Sequence, residues 1–344
     1  MVIPRRIFFH AYHATPCPLV GRVALRLMIN RCTAFVLGAG TSIPYRFPSG
    51  EGLLKQARVL SIPDILKKIQ RPELEGPARE LEGALKKTHD SSLDALLELR
   101  PDLAEVGKRL LAALLLEHEN SSITHFPEPE EDWLTVFFGE LVRNTSSIRD
   151  FAKNPISFIT YNYDRALKHR ILGALSAHYG ISELECATAI AAIPFLHLHG
   201  DLGELPSSGS KTPVPFGPSP TDAGQFARYL DIATARIVIV HEAKPETEAF
   251  VRARDILGSS EQAVMLGFGF GESNLSRLDV AKWKATTVWG TAFGLTGSQR
   301  HYLIDIPFDK AKKQRSFASS TVGTRAYLLN SLYIFRDPLS KESG

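Results

Sequence analysis

Asn162 and Asp164 lie two residues apart in Tyr161-Asn162-Tyr163-Asp164, directly after the apolar run Ile156-Ser157-Phe158-Ile159-Thr160. If the strand continues that far, the two side chains share a face. An amide beside a carboxylate can hold a carboxamide and a ribose, and it can orient a water. Structural roles suit them as well, Asp164 as the cap of a following helix and Asn162 in a turn. A second polar tip, His197-Leu198-His199-Gly200-Asp201, ends the run Phe195-Leu196. The alternation places His197 and His199 on one face, with Leu198 on the other. A histidine before glycine at a strand tip suits a general base, because imidazole titrates near neutrality. His197, His199 and Asp201 form a conceivable metal set, but no His/Cys cluster elsewhere supports it. We therefore expect no metal, and we read His197 as a packed or hydrogen-bonded neighbour.

Two glycine-rich tips complete the set. Ala34-Phe35-Val36-Leu37 runs into Gly38-Ala39-Gly40-Thr41-Ser42, a tight turn that exposes backbone N–H groups after a buried strand. No acidic residue precedes Glu51, so nothing nearby repels a pyrophosphate. The full dinucleotide fingerprint is incomplete, because Ile43 stands where its third glycine would be. Ala263-Val264-Met265-Leu266 runs into Gly267-Phe268-Gly269-Phe270-Gly271, followed by Glu272, Ser273 and Asn274. Those glycines allow close backbone approach to a second part of a nucleotide, and Glu272, Ser273 and Asn274 can bond a ribose or an adenine edge. A glycine-rich turn without a ligand accounts for either stretch alone.

The elements that must position these tips are short buried strands. In an open parallel sheet, ligands sit at the carboxyl ends of the strands, so four polar tips on one edge make a single site. The expected fold class is α/β, a Rossmann-like parallel sheet with an inserted helical module. A helical stretch from Glu51 to about Ile69 precedes residues 73–120, where Leu93, Leu96 and Leu97, then Leu103, Val106, Leu110, Leu111 and Leu114, recur at helical spacing. Ser92 can cap the first group. Another helix is expected from Trp133. Late strands are expected near Thr286–Trp289 and Tyr302–Ile306. The Pro/Gly/Ser-rich segment 203–222 reads as a flexible flap over the site. The division expected is a basic N-terminal arm at 1–32, a core at 33–310 with its helical module at about 55–150, and a C-terminal extension at 311–344.

The 344 residues are 44% hydrophobic and 22% charged, ordinary for a globular chain, and a net charge of +3 is too small to argue for nucleic acid. No apolar run approaches the roughly 20 residues that span a bilayer. Residues 1–50 carry six arginines and no acid. Cys17, Cys32 and Cys186 lack C-x-x-C spacing, which excludes a four-cysteine zinc knuckle and argues against a disulfide framework. A reducing, cytoplasmic setting follows as the expectation.

Taken in order, GAGTS, SLDALLELRPDLAEVGK, SFITYNYD, HLHGD and GFGFGES resemble the SIR2-like family, the sirtuin-related NAD-consuming proteins of bacterial anti-phage defence. The resemblance runs from about Thr33 to Leu303. Ser92–Lys108 resembles that family's serine-isoleucine-aspartate helix and the glycine-lysine after it. The resemblance implies a Rossmann-like NAD domain in which Asn162 and Asp164 match the T-x-N-x-D element and His199 the histidine base. Gly38, Ala39, Gly40, Thr41 and Ser42 match the diphosphate loop. The chain departs from sirtuins proper: the zinc-module cysteines are missing, residues 43–50 lack the phenylalanine-arginine ending, and His197 stands where a lysine is frequent. These departures suit the NADase branch. The implied activity is cleavage of NAD to nicotinamide and ADP-ribose by a regulated defence effector, with NAD as substrate. Asn162 would position water and a ribose hydroxyl, Asp164 would bind the carboxamide or ribose, and His199 would accept a proton. Control would come from a homo-oligomer or a partner chain, an ATPase/helicase or an Argonaute-like protein. The alternatives are a non-catalytic NAD- or ADP-ribose-binding module and a deacylase that lacks its zinc module.

Overall fold

The computed structural model describes residues 29, 31–62, 64–65, 71–90, 92–218, 221–239, 242 and 244–335. The expected N-terminal arm falls outside the described residues apart from Ile29, Arg31 and Cys32.

Thr33–Leu37 (β1) is buried along its whole length, as the central strand of a parallel sheet covered on both faces must be. Ile156–Thr160 (β2) and Gln262–Leu266 (β4) pair with it in parallel on either side, each through five residues. Phe195–His197 (β3) lies outside β2, and Thr287–Gly290 (β5) and Gln314–Phe317 (β6) lie outside β4. The order β3-β2-β1-β4-β5-β6 reverses direction between β1 and β4, the switch point where Rossmann-like sheets leave a crevice. All pairings are parallel, so the tips after β1, β2, β3 and β4 share one edge, as expected.

The chain between β1 and β2 forms a helical layer. It contains helices Gly50–Val59 (α1), Glu75–Lys87 (α2), Leu93–Leu99 (α3), Ala104–Ser122 (α4), Trp133–Val142 (α5) and Ile148–Phe151 (α6). Ser49, Ser92 and Asp132 cap α1, α3 and α5 by accepting from the N–H three residues on. The leucines read from the periodicity, Leu93, Leu96, Leu97, Leu103, Val106, Leu110, Leu111 and Leu114, are all buried. The layer packs on the sheet through Phe35, Phe137 and Phe158; the Phe35 and Phe137 rings meet edge to face at 5.0 Å.

Three expectations change. Tyr302–Ile306 is not a strand. The capping box of Thr296 and Gln299 starts a helix there, and the chain stays helical through His301–Asp305 to Lys310. Ile304 and Phe308, four apart, form its buried stripe while Tyr302 faces solvent. The last strand is instead the polar β6, which lies past residue 310, so the sheet continues into the expected C-terminal extension. Cys32 is disulfide-bonded, and Cys186 is a buried free thiol. Missing C-x-x-C spacing excludes a short-range motif but not a bridge between distant cysteines. No helix among the described residues is long and apolar enough to cross a membrane.

Candidate active site at the carboxyl edge of the sheet

The glycine turn after β1 is shaped by packing as much as by any ligand. A Cβ on Gly38 would lie 2.5 Å from the carbonyl oxygen of Gly267, and one on Gly267 (φ +56) would lie 2.4 Å from the Thr41 nitrogen. Glycines therefore let the β1 and β4 tips touch backbone to backbone. Gly38 N–H donates to Leu266 O and Gly40 N–H to Gly267 O, while Thr41 and Ser42 donate back to Gly38 and Ala39 carbonyls. This corrects the expectation of a turn with free N–H groups: of residues 38–42, Ala39 alone has an N–H without a partner among the described residues. Thr291, at the tip of β5, receives the Gly267 N–H on its hydroxyl at 2.9 Å. No spacing in the sequence marked Thr291.

Asn162 is clamped to that turn. Its Nδ2 donates to Gly38 O at 3.2 Å, Thr41 Oγ1 at 3.4 Å and Ser42 Oγ at 3.0 Å. Oδ1 has no partner among the described residues and remains as an acceptor. Asp164 Oδ1 takes the Ala166 N–H at 3.1 Å, and Ser42 lies close enough to favour its charged form. Asp164 thus takes the first N–H of the following helix, Ala166–Tyr179 (α7), from one position before its N-cap Arg165, and sits in the site as well. It is 8% exposed, and burial pushes its carboxyl up to about 6, against the lowering by Ser42.

The two histidines part company. The strand ends at His197, so the alternation that would have put both on one face stops there. His197 Nδ1 meets Asn162 O at 2.8 Å and His199 Nδ1 meets Val238 O at 3.0 Å. A carbonyl only accepts, so each Nδ1 carries the proton and each Nε2 a lone pair. His199 is 4% exposed. Its ring is surrounded by those of Tyr161, Tyr163 and Phe250, with centroids at 5.7, 6.1 and 6.0 Å. Burial lowers its pKa to about 4 despite the bond to Val238, and the charge of Arg277 adds to the lowering. Burial lowers His197 too. Both imidazoles are neutral at pH 7.

A cavity of about 20 Å³ is lined by Thr41, Ser42, Asn162, Asp164 and His197, room for roughly one water. Beside it, sharing Lys168, Phe195, Leu196 and His197, a cleft of about 240 Å³ extends to Asp201, Glu204 and Arg236. His199 lines neither. Asp201 and Glu204 hold the Arg236 guanidinium, and among the described residues no group of three or more His, Cys, Asp or Glu could bind a metal. Gly269, Glu272 and Ser273 stand apart from both spaces. Asn274 is tied in through its carbonyl, which accepts from Tyr161 OH at 2.8 Å.

Three supports escaped the sequence reading. Trp133 Nε1 donates to Thr41 O at 2.8 Å, fixing the turn from the helical layer. Tyr45 OH donates to Asp132 and accepts from Leu134 N–H. Arg165, next to Asp164, pairs in the interior with Glu119 and donates to the carbonyls of Gly203, Val214 and Pro215. The segment expected as a flap is therefore pinned to the core through residues 203–217, with Val214 fully buried. Only pairing across 38 to 98 residues of chain, by side chains with no local pattern, could have signalled this. Compared with known proteins, the chain matches no family model and no curated protein.

Proposed function

We propose that the chain is an NAD glycohydrolase, releasing nicotinamide and leaving ADP-ribose. The observation that carries this reading is Asn162. Its amide nitrogen is held by three loop oxygens, which leaves Oδ1 as an acceptor beside a water-sized cavity and the Asp164 carboxyl. The N-glycosidic bond breaks with cationic character at the sugar carbon, as in glycoside cleavage. Asn162 Oδ1 then holds the attacking water or a ribose hydroxyl, and Asp164 binds the carboxamide or ribose. His199 accepts a proton at Nε2, the nitrogen left free by its bond to Val238. The nicotinamide ribose lies where the cleft meets the cavity, at His197. The diphosphate passes over Ala39 at the β1/β4 switch point, and the adenosine end reaches Gly269 and residues 272–274. A role as a regulated anti-phage effector, acting as a homo-oligomer or with a partner protein, belongs to the same proposal and is supported by the resemblance alone.

One observation favours a second reading, binding of NAD or ADP-ribose without cleavage: His199 does not line the cavity. Nicotinamide release from NAD, followed for the parent, Asn162→Ala and His199→Ala, separates the two. Hydrolysis at this site requires release by the parent and its loss in both variants. Release that survives in both places the chemistry elsewhere, and binding without release by the parent supports the second reading.

A further inference from the structure

The stretch from Ser92 to Lys108 lies in the helical layer, more than fifty residues before Asn162, yet it reaches His199 from two sides. On one side Asp94, in α3, accepts from Tyr163 OH at 2.7 Å. The Tyr163 ring stands edge-on to the His199 imidazole with centroids 6.1 Å apart. On the other side Lys108 Nζ, in α4, contacts both carboxylate oxygens of Glu242, at 2.9 and 2.8 Å. Glu242 in turn closes a tight turn: its Oε2 accepts from Ile239 N–H at 3.1 Å, and its own N–H donates to Ile239 O at 2.9 Å. The residue before Ile239 is Val238, whose N–H donates to His199 O at 2.9 Å and whose carbonyl accepts from His199 Nδ1 at 3.0 Å.

The chain of contacts is therefore continuous, from an ion pair through a turn and a carbonyl to an imidazole. We propose that Lys108 and Glu242 are positioning residues that hold the Val238 carbonyl on His199 Nδ1, and so fix the imidazole as the Nδ1–H tautomer with Nε2 free to accept. Two features make this more than a surface ion pair. The side chains of Lys108 and Glu242 are only 16% and 34% exposed, so solvent screens the pair incompletely. Lys108 also follows Gly107, where a Cβ would lie 2.4 Å from Leu97 Cδ2. The glycine lets α3 and α4 approach closely at that point, and the close approach sets where the next residue, Lys108, can reach. Asp94 and Lys108 thereby act from adjoining helices on the two sides of one histidine. The helical layer is then part of the site's machinery rather than a cover for the sheet. A carbonyl that fixes which nitrogen of a histidine bears the proton decides which nitrogen can act as base.

The inference rests on reading His199 as the base, so its test includes a readout that needs no turnover. Long-range proton–nitrogen correlation of the His199 imidazole in the uniformly nitrogen-15-labelled full chain reports the tautomer directly. The parent is expected to show one protonated nitrogen and one with the shift of a free lone pair. Lys108→Met should average the two shifts, and Lys108→Arg should preserve them. Glu242→Gln, which keeps an oxygen for Ile239 N–H but removes the charge, should average them as Lys108→Met does and serves where that variant fails to fold. The exchanged pair Lys108→Glu with Glu242→Lys should restore the parental signal. In nicotinamide release, Lys108→Met should lower kcat about tenfold, a part of the roughly 10²–10⁴-fold that a positioned base supplies, with little change in KM. Unchanged imidazole shifts in folded Lys108→Met and Glu242→Gln would overturn the proposal. So would a folded exchanged pair that fails to restore them. If the imidazole follows Lys108 while the parent releases no nicotinamide, the positioning stands and the NAD-cleavage reading falls.

Discussion

Removing either member of the Glu119–Arg165 pair should cost more than any other single substitution near the site. Glu119 is 0% and Arg165 3% exposed. Arg165 donates to Glu119 through Nε and Nη2, to Gly203 O and Val214 O through Nη1, and to Pro215 O through Nη2, while Gly217 N–H also donates to Glu119. Glu119→Leu leaves a guanidinium uncompensated in the interior, at a cost of about 3–5 kcal/mol. Arg165→Met leaves a buried carboxylate and also strips three carbonyls of their donor, each about 1 kcal/mol more. The double variant carries no buried charge, so it keeps only the losses at the three carbonyls and at Gly217 N–H, roughly 4 kcal/mol. The singles should therefore sum to about 9 kcal/mol or more, far above the double. Urea unfolding of the four proteins measures this cycle. Limited proteolysis should cut within 203–217 fastest in Arg165→Met, which loses the anchor of that segment. A double variant as costly as the sum of the singles would refute the reasoning, as would a Glu119→Leu cost below about 1 kcal/mol.

Two further outcomes follow from the same geometry. Gly267→Ala should destabilise the chain by at least about 1–2 kcal/mol through its left-handed backbone alone; a Cβ there also meets Thr41 N at 2.4 Å, so the β1 and β4 tips must part, whereas Gly269, with nothing within 4 Å, should tolerate alanine within about 0.5 kcal/mol. Equal stabilities of the two variants in urea would contradict this contact. The pH dependence of stability should carry two opposed contributions between pH 4 and 6. Asp164, raised from 3.8 to about 6, binds more protons folded than unfolded in that window, so its contribution falls as pH rises. His199, lowered from 6.5 to about 4, binds more protons unfolded, so its contribution rises with pH. Asp164→Asn should uncover the histidine effect and steepen the gain from pH 4 to pH 6 by roughly 2 kcal/mol, measured by urea unfolding at both pH values. An unchanged slope would place the Asp164 carboxyl near its ordinary value.

The parallel sheet was legible because its inner strands are uninterrupted apolar runs that stop at polar tips. Ala34–Leu37, Phe158–Ile159 and Ala263–Leu266 are all buried, and the tips after them mark the edge where ligands bind. The outer edge was not legible. β6 reads Gln314-Arg315-Ser316-Phe317, and Arg315 is engaged by Asp305 and Asp309, so no apolar pattern announces a strand. Tyr302-Leu303-Ile304-Asp305-Ile306 is as apolar as a strand, and only the capping box upstream and Phe308 four residues after Ile304 reveal the helix. Within the site, the residue types at the tips carried the choice of Asn162 and Asp164, although their bonds to the glycine turn and to the following helix are structural uses as well. The division between His197 and His199 was hidden, since it depends on the strand ending at His197 and on Val238, far along the chain. Arg165, Glu119 and Thr291 were invisible for the same reason: long-range partners leave no spacing to read.

The most direct test of the central claim is which bond of NAD breaks. Products formed from NAD by the purified full chain, quantified by chromatography across a wide range of protein concentrations, should be nicotinamide and ADP-ribose in equal amounts, with none from Asn162→Ala. Nicotinamide mononucleotide and AMP would show cleavage at the diphosphate instead. Those products, or intact NAD bound at every concentration, would contradict the assignment of Asn162 and His199 to the nicotinamide–ribose bond.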